Sequence, residues 1–449
     1  MTVLGQMGVS RPIDIAAGKT LTMKTTEGNY AQYTGVISGD GALAFSDYSV
    51  NPCYIQNLSN TFTGDITINA GSGGVIFSNN GAFGATGKTI YLKGGWLQWQ
   101  ADVAADRTLV IGGASQQLRD TGLAWHGLIQ GGGFTFQGSH IVLTNPGNTF
   151  SGTIGMYAGG SLLNPSTLTV SHPGNINGNS ISFVNPYNRL QVAGTPAGGW
   201  TGNISWGSYA TFIDVVESAA VVNWTGQLSG SGVLTKTGPG AFVVNNTTAT
   251  GDFDIQGGTI LFNDTSTTGI GSHTVQNTAA LGGNGTLSLG AGKGISVQNG
   301  GTLKGTVTVT GGTGVSVADG GIVAPGESAG TLTLSSLVLN NGSILNFELD
   351  APNVEGGDND VIQVNGDLTL DGVLYVTFTD TPITLQPYRL FSYEGVLTNH
   401  LLTVGTVLPK DGYIDTSIAG QVNLILIPEP ATAAVLGLAG LALLRRRRF

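Results

Sequence analysis

Few residues in this sequence combine the type and the spacing that chemistry requires. Residues 355–360 (EGGDND) set three carboxylates among glycines that would let the chain curl, so that several oxygens could converge on calcium. A calcium loop of this kind takes adjacent copies, each adding oxygens, and the chain holds a single one. Asp358 and Asp360 are therefore the metal candidates, against a reading as a hydrophilic turn, and no resident metal or cofactor is expected. The histidines, His126, His140, His172, His273 and His400, are scattered without metal-ligand spacing, and each reads as a turn or surface residue. No HExxH or phosphate-loop pattern occurs, so an enzyme is not expected. Asp102, Asp106, Arg107, Arg119 and Asp120 form the densest charge group. They read as solvated edges, or as acid and base groups if the fold gathers them on one face.

Trp96 and Trp99, in residues 95–100 (GWLQWQ), point to opposite faces if they lie on a strand. One would then be free to stack on a sugar ring; the alternative is packing under a neighbouring loop. Threonines one residue apart, at Thr20/Thr22, Thr167/Thr169, Thr306/Thr308/Thr310 and Thr331/Thr333, could line a flat hydroxyl array that orders ice. They do not recur at one spacing, and threonine is in any case a good strand former. Cys53 is the single cysteine, so no intramolecular disulfide can form, and it reads as a small buried apolar residue.

The elements available to hold these groups are strands. Charged residues are 10% of the 449, against about 25% in ordinary domains, and the 73 glycines are about double the usual share. Such a chain predicts short strands joined by tight turns. Glycine and serine enrichment also marks disorder, but here 40% of residues are hydrophobic and they alternate with polar ones. No helix reads in the body. The formal charge is −10; apart from Arg445, Arg446, Arg447, Arg448 and Glu429, the chain carries 13 basic against 26 acidic residues, a surface that repels nucleic acid. Residues 1–23 lack a basic stretch followed by an apolar run, so no secretory signal reads there. Residues 13–23 (IDIAAGKTLTM) instead alternate as strand, turn and strand, as in the middle of a repeat within a longer reading frame.

Repetition organises the body. Residues 60–77 (NTFTGDITINAGSGGVIF), 148–163 (NTFSGTIGMYAGGSLL) and 247–262 (TTATGDFDIQGGTILF) resemble one another, with Gly64, Gly152 and Gly251 spaced by 88 and 99 residues. Each is preceded by a second shared element, at residues 35–43, 127–134 and 226–234. The modules run roughly over residues 1–125, 126–225 and 226–345, and each holds several coils. Alternating runs such as residues 286–289, 295–298, 306–310 and 331–334 follow at the spacing of an all-β fold. Coils stacked about 4.8 Å apart would let every strand pair above and below. A β-sandwich is the competing architecture, but a closed sandwich rarely extends past about 250 residues.

Residues 230–244 (GSGVLTKTGPGAFVV), followed by Gly251 and residues 257–261 (GGTIL), closely resemble the autotransporter-associated β-strand repeat of passenger domains. Residues 281–287 (LGGNGTL) and 324–334 (APGESAGTLTL) are similar to the stretches that close such passengers, and residues 341–427 to the module placed after the repeats. The resemblance implies a right-handed parallel β-helix (β-solenoid) over residues 1–345 and a β-rich end module at 346–426 that caps it. The translocator barrel that the family carries at its C-terminus does not read in this sequence, so self-translocation is not expected. Polysaccharide lyases and pectinases also use parallel β-helices, which keeps glycan binding or cleavage as an alternative.

Residues 431–444 are uncharged, with Thr432 the single polar one, and four arginines follow at once. As a helix they would span about 21 Å, short of a hydrocarbon core of about 30 Å. This is the short C-terminal transmembrane helix expected here, with the arginines holding its end on the cytoplasmic side. Pro428 and Pro430 keep the stretch before it extended. Residues 427–449 resemble the PEP-CTERM sorting signal. The resemblance implies that Pro428, Glu429 and Pro430 are recognised by an exosortase, a membrane protease, that the apolar segment is a transient membrane anchor, and that Arg445, Arg446, Arg447 and Arg448 act as the stop. The expectation is an exported surface or matrix protein, structural or adhesive, that meets exopolysaccharide and no nucleic acid. A carbohydrate-active or an ice-binding surface protein is the alternative.

Overall fold

The computed structural model describes residues 2–3, 7–25, 30–46, 51–113, 116–120, 122–263, 267–354, 357–405, 408 and 410–428. The chain divides into two compact units, Met1–Asp254 and Ile255–Phe449. Both are β-solenoids, in which strands pair in parallel with their counterparts one coil away, save for an antiparallel hairpin at the end of the second.

In the first unit, alternation turns every second residue inward, and the register stacks these residues in columns. Leu43 pairs with Ile66, Ile66 with Ile90 and Ile90 with Leu109, while Phe45, Ile68, Leu92 and Ile111 form the adjacent column; all eight are buried. Burying each such side chain stabilises the unit by about 1.5–3 kcal/mol. Aromatics extend the columns: Phe77 stacks on Phe83 at 4.0 Å and Trp200 on Trp224 at 5.5 Å.

The repeated motifs mark the places where coils touch. Asn60 is buried; its Oδ1 accepts from Ile37 N–H at 2.8 Å and its Nδ2 donates to Ala82 O at 3.0 Å, so one side chain joins three successive coils. Asn148 does the same with Ile129 N–H and Asn175 O. In the third copy Thr247 takes this place and donates to Leu228 O. Two residues on, Phe62, Phe150 and Ala249 fill the core. A Cβ on Gly64 would lie 2.4 Å from Gly41 O, and one on Gly251 would lie 1.9 Å from Gly232 O. Close backbone approach therefore explains why the motif ends in glycine.

Lys236, in the strand Leu234–Thr237, takes an inward position in register with Ile213 and is fully buried. Its Nζ donates to Thr237 O at 2.7 Å and Gly238 O at 2.9 Å, and burial lowers its pKa to about 8.

The second unit repeats three strands per coil, one on each of three sheets. Leu281, Leu303, Val323, Leu345 and Leu374 form one continuous buried column. Parallel pairing runs on through Leu397–Asn399 and Thr403–Val404, the last strands of their sheets. On the third sheet the strand Gln421–Leu426 lies antiparallel to Pro387–Tyr393, and Gly412–Asp415 pairs antiparallel onto it.

Strands form close to where alternation placed them: Ile13–Asp14 and Thr20–Thr25 flank Gly18 at φ +72°, and Thr286–Leu289, Ile295–Val297, Thr308–Gly311 and Thr331–Leu334 are strands. The helical content of the described residues is two short 3-10 turns, Asn80–Phe83 and Pro173–Asn175. No helix among them is long and apolar enough to cross a membrane. Pro428 is exposed, whereas Glu429, Pro430, residues 431–444 and Arg445, Arg446, Arg447 and Arg448 lie outside the described residues.

Candidate ligand-binding groove

In the second unit the same alternation that buries Leu303, Leu345, Phe347, Leu374 and Val376 sends Lys304, Asn346, Glu348, Tyr375 and Thr377 outward. Register sets them side by side: Lys304 opposite Ala324, Asn346 opposite Tyr375, and Glu348 opposite Thr377. Beside this floor the chain leaves the sheet at Gly326. Its φ is +78°, and a Cβ there would lie 1.6 Å from Ser328 O, so the turn admits glycine alone. Gly305 and Gly326 exchange two backbone hydrogen bonds, of 3.1 and 2.9 Å, that root the loop. Beyond them Glu327 grips Lys304 Nζ with both carboxylate oxygens, at 2.9 and 3.1 Å.

Loop and sheet bound a cavity of about 290 Å³ lined by Lys304, Glu327, Asn346, Glu348, Tyr375 and Thr377. Tyr375 is 43% exposed, and its ring rests on Gly405, where a Cβ would come within 2.9 Å of Cζ. Asp360, also on the cavity wall, is buried and joins loop to floor: Oδ1 accepts from Gly330 N–H at 2.8 Å and Oδ2 from Glu348 N–H at 2.7 Å. Burial pushes its carboxyl up to about 6 even though both backbone donors pull it down. An exposed phenol ring beside an amide, a hydroxyl and an ion pair is chemistry that meets sugar faces and sugar hydroxyls. Three carboxylates against one ammonium favour an uncharged or basic ligand.

Sequence reasoning reached this site through Asp360 alone. Asp358 is exposed and Asp360 is buried with each oxygen taken by an N–H, so the two do not form a cation site, and Glu355 lies outside the described residues. Asn359 is likewise buried; its Oδ1 accepts from Asp350 N–H and its Nδ2 donates to Ala351 O and Val354 O. The segment expected as a hydrophilic turn is in part a buried clamp. Among the described residues no three His, Cys, Asp or Glu side chains gather as a metal site. Lys304, Asn346 and Tyr375 were missed because they belong to different coils; the available signal was the break in alternation at Gly326.

The other candidates are absorbed by packing. Trp96 and Trp99 do face opposite ways, but both are buried: Trp99 meets Trp125 in the core at 5.1 Å, while Trp96 lies against Gly74 and under the Arg119 guanidinium at 4.3 Å. Arg107, expected at a solvated edge, is buried and donates to Ala85 O, Asn80 O and Gly84 O. Asp102 and Asp106 accept from Ala124 N–H and Gly87 N–H, and Asp120 ends the strand Gln117–Asp120. His273, expected at a turn or surface, lies in the strand His273–Val275, fully buried and stacked on Phe262 at 5.4 Å. His140 is half-buried with Nε2 at 2.7 Å from Thr169 Oγ1, and His126 Nδ1 meets Thr144 Oγ1 at the same distance. His172 caps a 3-10 turn, and His400 is exposed with Nδ1 3.7 Å from Asp371. The threonine pairs do not build one array: Thr20 and Thr22 meet Ala42 and Ala44, Thr167 and Thr169 are buried, and the column Thr286, Thr308, Thr333 continues to Gln363. Cys53 is buried, as its type suggested.

No protein-family model matches the chain. One stretch has a named relative. Over 108 residues, 23% of the chain, it is 47% identical to the adhesin BmaC autotransporter of Brucella suis biovar 1 (strain 1330). That stretch is 3% of the adhesin's length, so the chain corresponds to a small part of it.

Proposed function

We propose that this chain is an exported, non-enzymatic adhesive protein of the cell surface or extracellular matrix. A scaffold of stacked coils holds its outward side chains rigidly, and an exosortase-type membrane protease sorts it at Pro428, Glu429 and Pro430. The observation that carries the reading is identity with an autotransporter adhesin on a chain whose repeat motifs serve contacts between coils. The tail adds an apolar segment with arginines on the side that would stay cytoplasmic. The test is pulse-chase in the producing cells. The chain should reach the surface shortened at its C-terminus, and changing Arg445, Arg446, Arg447 and Arg448 together to Ala should leave it unprocessed or slipped through the membrane. Unchanged processing of that variant would count against the sorting role.

A second reading is favoured by the groove: Tyr375, Asn346 and Thr377 are the groups of a carbohydrate-binding site. The adhesive partner would then be an uncharged or amino-sugar polysaccharide bound there.

A further inference from the structure

The C-terminal end of the second unit exposes apolar side chains at a cost. Among the described residues, Leu385 and Leu401 are leucines with positive φ, +62° and +77°, and they are 67% and 72% exposed. A leucine in that conformation carries a steric cost that glycine and asparagine, which adopt it readily, do not. Neither leucine regains this by burial. Val396, Tyr413, Ile418 and Ile427 are also exposed.

Hydrogen bonds place these residues on one end. Leu385 N–H donates to Leu426 O at 2.8 Å, Ile427 N–H to Asp411 O at 2.6 Å, and Tyr413 pairs with Ile425. Asn399 Nδ2 donates to Thr416 Oγ1 at 3.3 Å and Leu401 N–H to Asn399 Oδ1 at 3.0 Å, which joins the last parallel strand to the hairpin. Tyr393 N–H donates to Gly420 O at 3.0 Å, close to both Val396 and Ile418.

The same end is where the tail departs. Pro428, Glu429 and Pro430 alone separate Ile427 from the uncharged residues 431–444. Fully extended, the chain reaches at most about 14 Å from Ile427 to Ala431. The polar layer on each side of a bilayer is roughly 5–8 Å thick. A tail inserted in hydrocarbon therefore holds Ile427 within about 14 Å of the hydrocarbon edge, in the headgroup layer or just outside it, where its exposed apolar neighbours can reach the bilayer interface. We propose that this end is a membrane-docking surface: Leu385, Leu401, Val396, Tyr413 and Ile418 enter the bilayer interface and hold Pro428, Glu429 and Pro430 at the surface where a membrane protease cuts. Glu394, Asp411 and Asp415 outnumber Lys410 here, so the contact is apolar and needs no anionic lipid. The inference rests on the tail entering the membrane, and the experiment reads the two separately.

The full chain, with Cys53→Ala and Val396→Cys carrying a fluorophore, is mixed with phosphatidylcholine vesicles that contain a quencher at headgroup depth. A matched chain carries the probe at Asp319→Cys, an exposed turn of the same unit. Flotation with the vesicles reports the tail. Quenching should be several-fold stronger at position 396 than at 319. Adding Leu385→Asn and Leu401→Asn, which suit the backbone there, should leave flotation intact and remove most of that difference. A chain that floats with equal quenching at both positions overturns the surface and leaves the anchor standing; a chain that does not float removes both. Quenching at 396 that appears only as copies associate would identify a second copy as the occupant and would also overturn the proposal.

Discussion

Asp360 shows how one side chain can tie a groove to the stability of its coil. The carboxylate holds Gly330 and Glu348 by their N–H groups, yet burial lifts its pKa from the usual 3.8 to about 6. Between those values the folded chain keeps a proton that the unfolded chain has released, so folding stability should fall as pH rises through this window. The carboxyl should titrate near pH 6 by carbon NMR, well above the ordinary aspartate value of 3.8. Asp360→Asn holds no titratable proton, so its stability should be flat over the same range. It should also be lower at pH 4 by about 1–3 kcal/mol, because one of the two backbone donors then faces an amide NH₂. Denaturant titrations of both proteins from pH 4 to 7 check the sign; a parallel slope in the variant would assign the pH dependence elsewhere. Lys236 carries the opposite sign, since its pKa falls to about 8 and its contribution changes only in alkaline solution.

Strands gain their stability from neighbours one coil away, and the repeated asparagines are where that dependence concentrates. Asn60→Ala leaves Ile37 N–H and Ala82 O without their partner inside the core, and each unmet group costs about 1–3 kcal/mol. The variant should therefore lose about 2–6 kcal/mol, and hydrogen exchange should quicken at Ile37 and near Ala82 before it does at Asn148. A loss below about 1 kcal/mol would mean that water replaces the amide. This motif was legible in the sequence because Asn, Phe and Gly recur at the same spacing in two copies and the glycine in all three. Alternation likewise located most strands, since inward and outward positions differ in polarity. The groove was not legible, because Lys304, Asn346 and Tyr375 become neighbours only after coil length is known, and that length varies: Ser288 and Thr310 meet 22 residues apart, Leu349 and Thr379 meet 30 apart. Arg107 and His273 were misplaced for a related reason. Residue type predicts exposure only on average, and the acceptors that bury Arg107, Ala85 O and Gly84 O, are backbone atoms with no mark in the sequence.

For the whole chain, a formal charge of −10 constrains how the proposed adhesion would work. An acidic protein repels anionic polymers at low salt, and this repulsion fades as the screening length shrinks from about 10 Å at 0.1 M to about 3 Å at 1 M. If attachment were ionic, binding to a basic polysaccharide would collapse over that range. The groove predicts otherwise: Tyr375 offers a ring face, and Asn346 and Thr377 offer hydrogen bonds, none of which salt screens. Retention of the chain on an uncharged polysaccharide should therefore be nearly equal at 0.1 and 1 M salt, and a uronate-rich polymer should bind poorly at the lower salt. Tyr375→Ala should weaken retention by about tenfold, equivalent to about 1.4 kcal/mol, while leaving the buried column of Leu345 and Leu374 intact. Salt-sensitive retention that Tyr375→Ala does not change would transfer adhesion to diffuse charge, and no retention on any polysaccharide would leave the coils as a spacer.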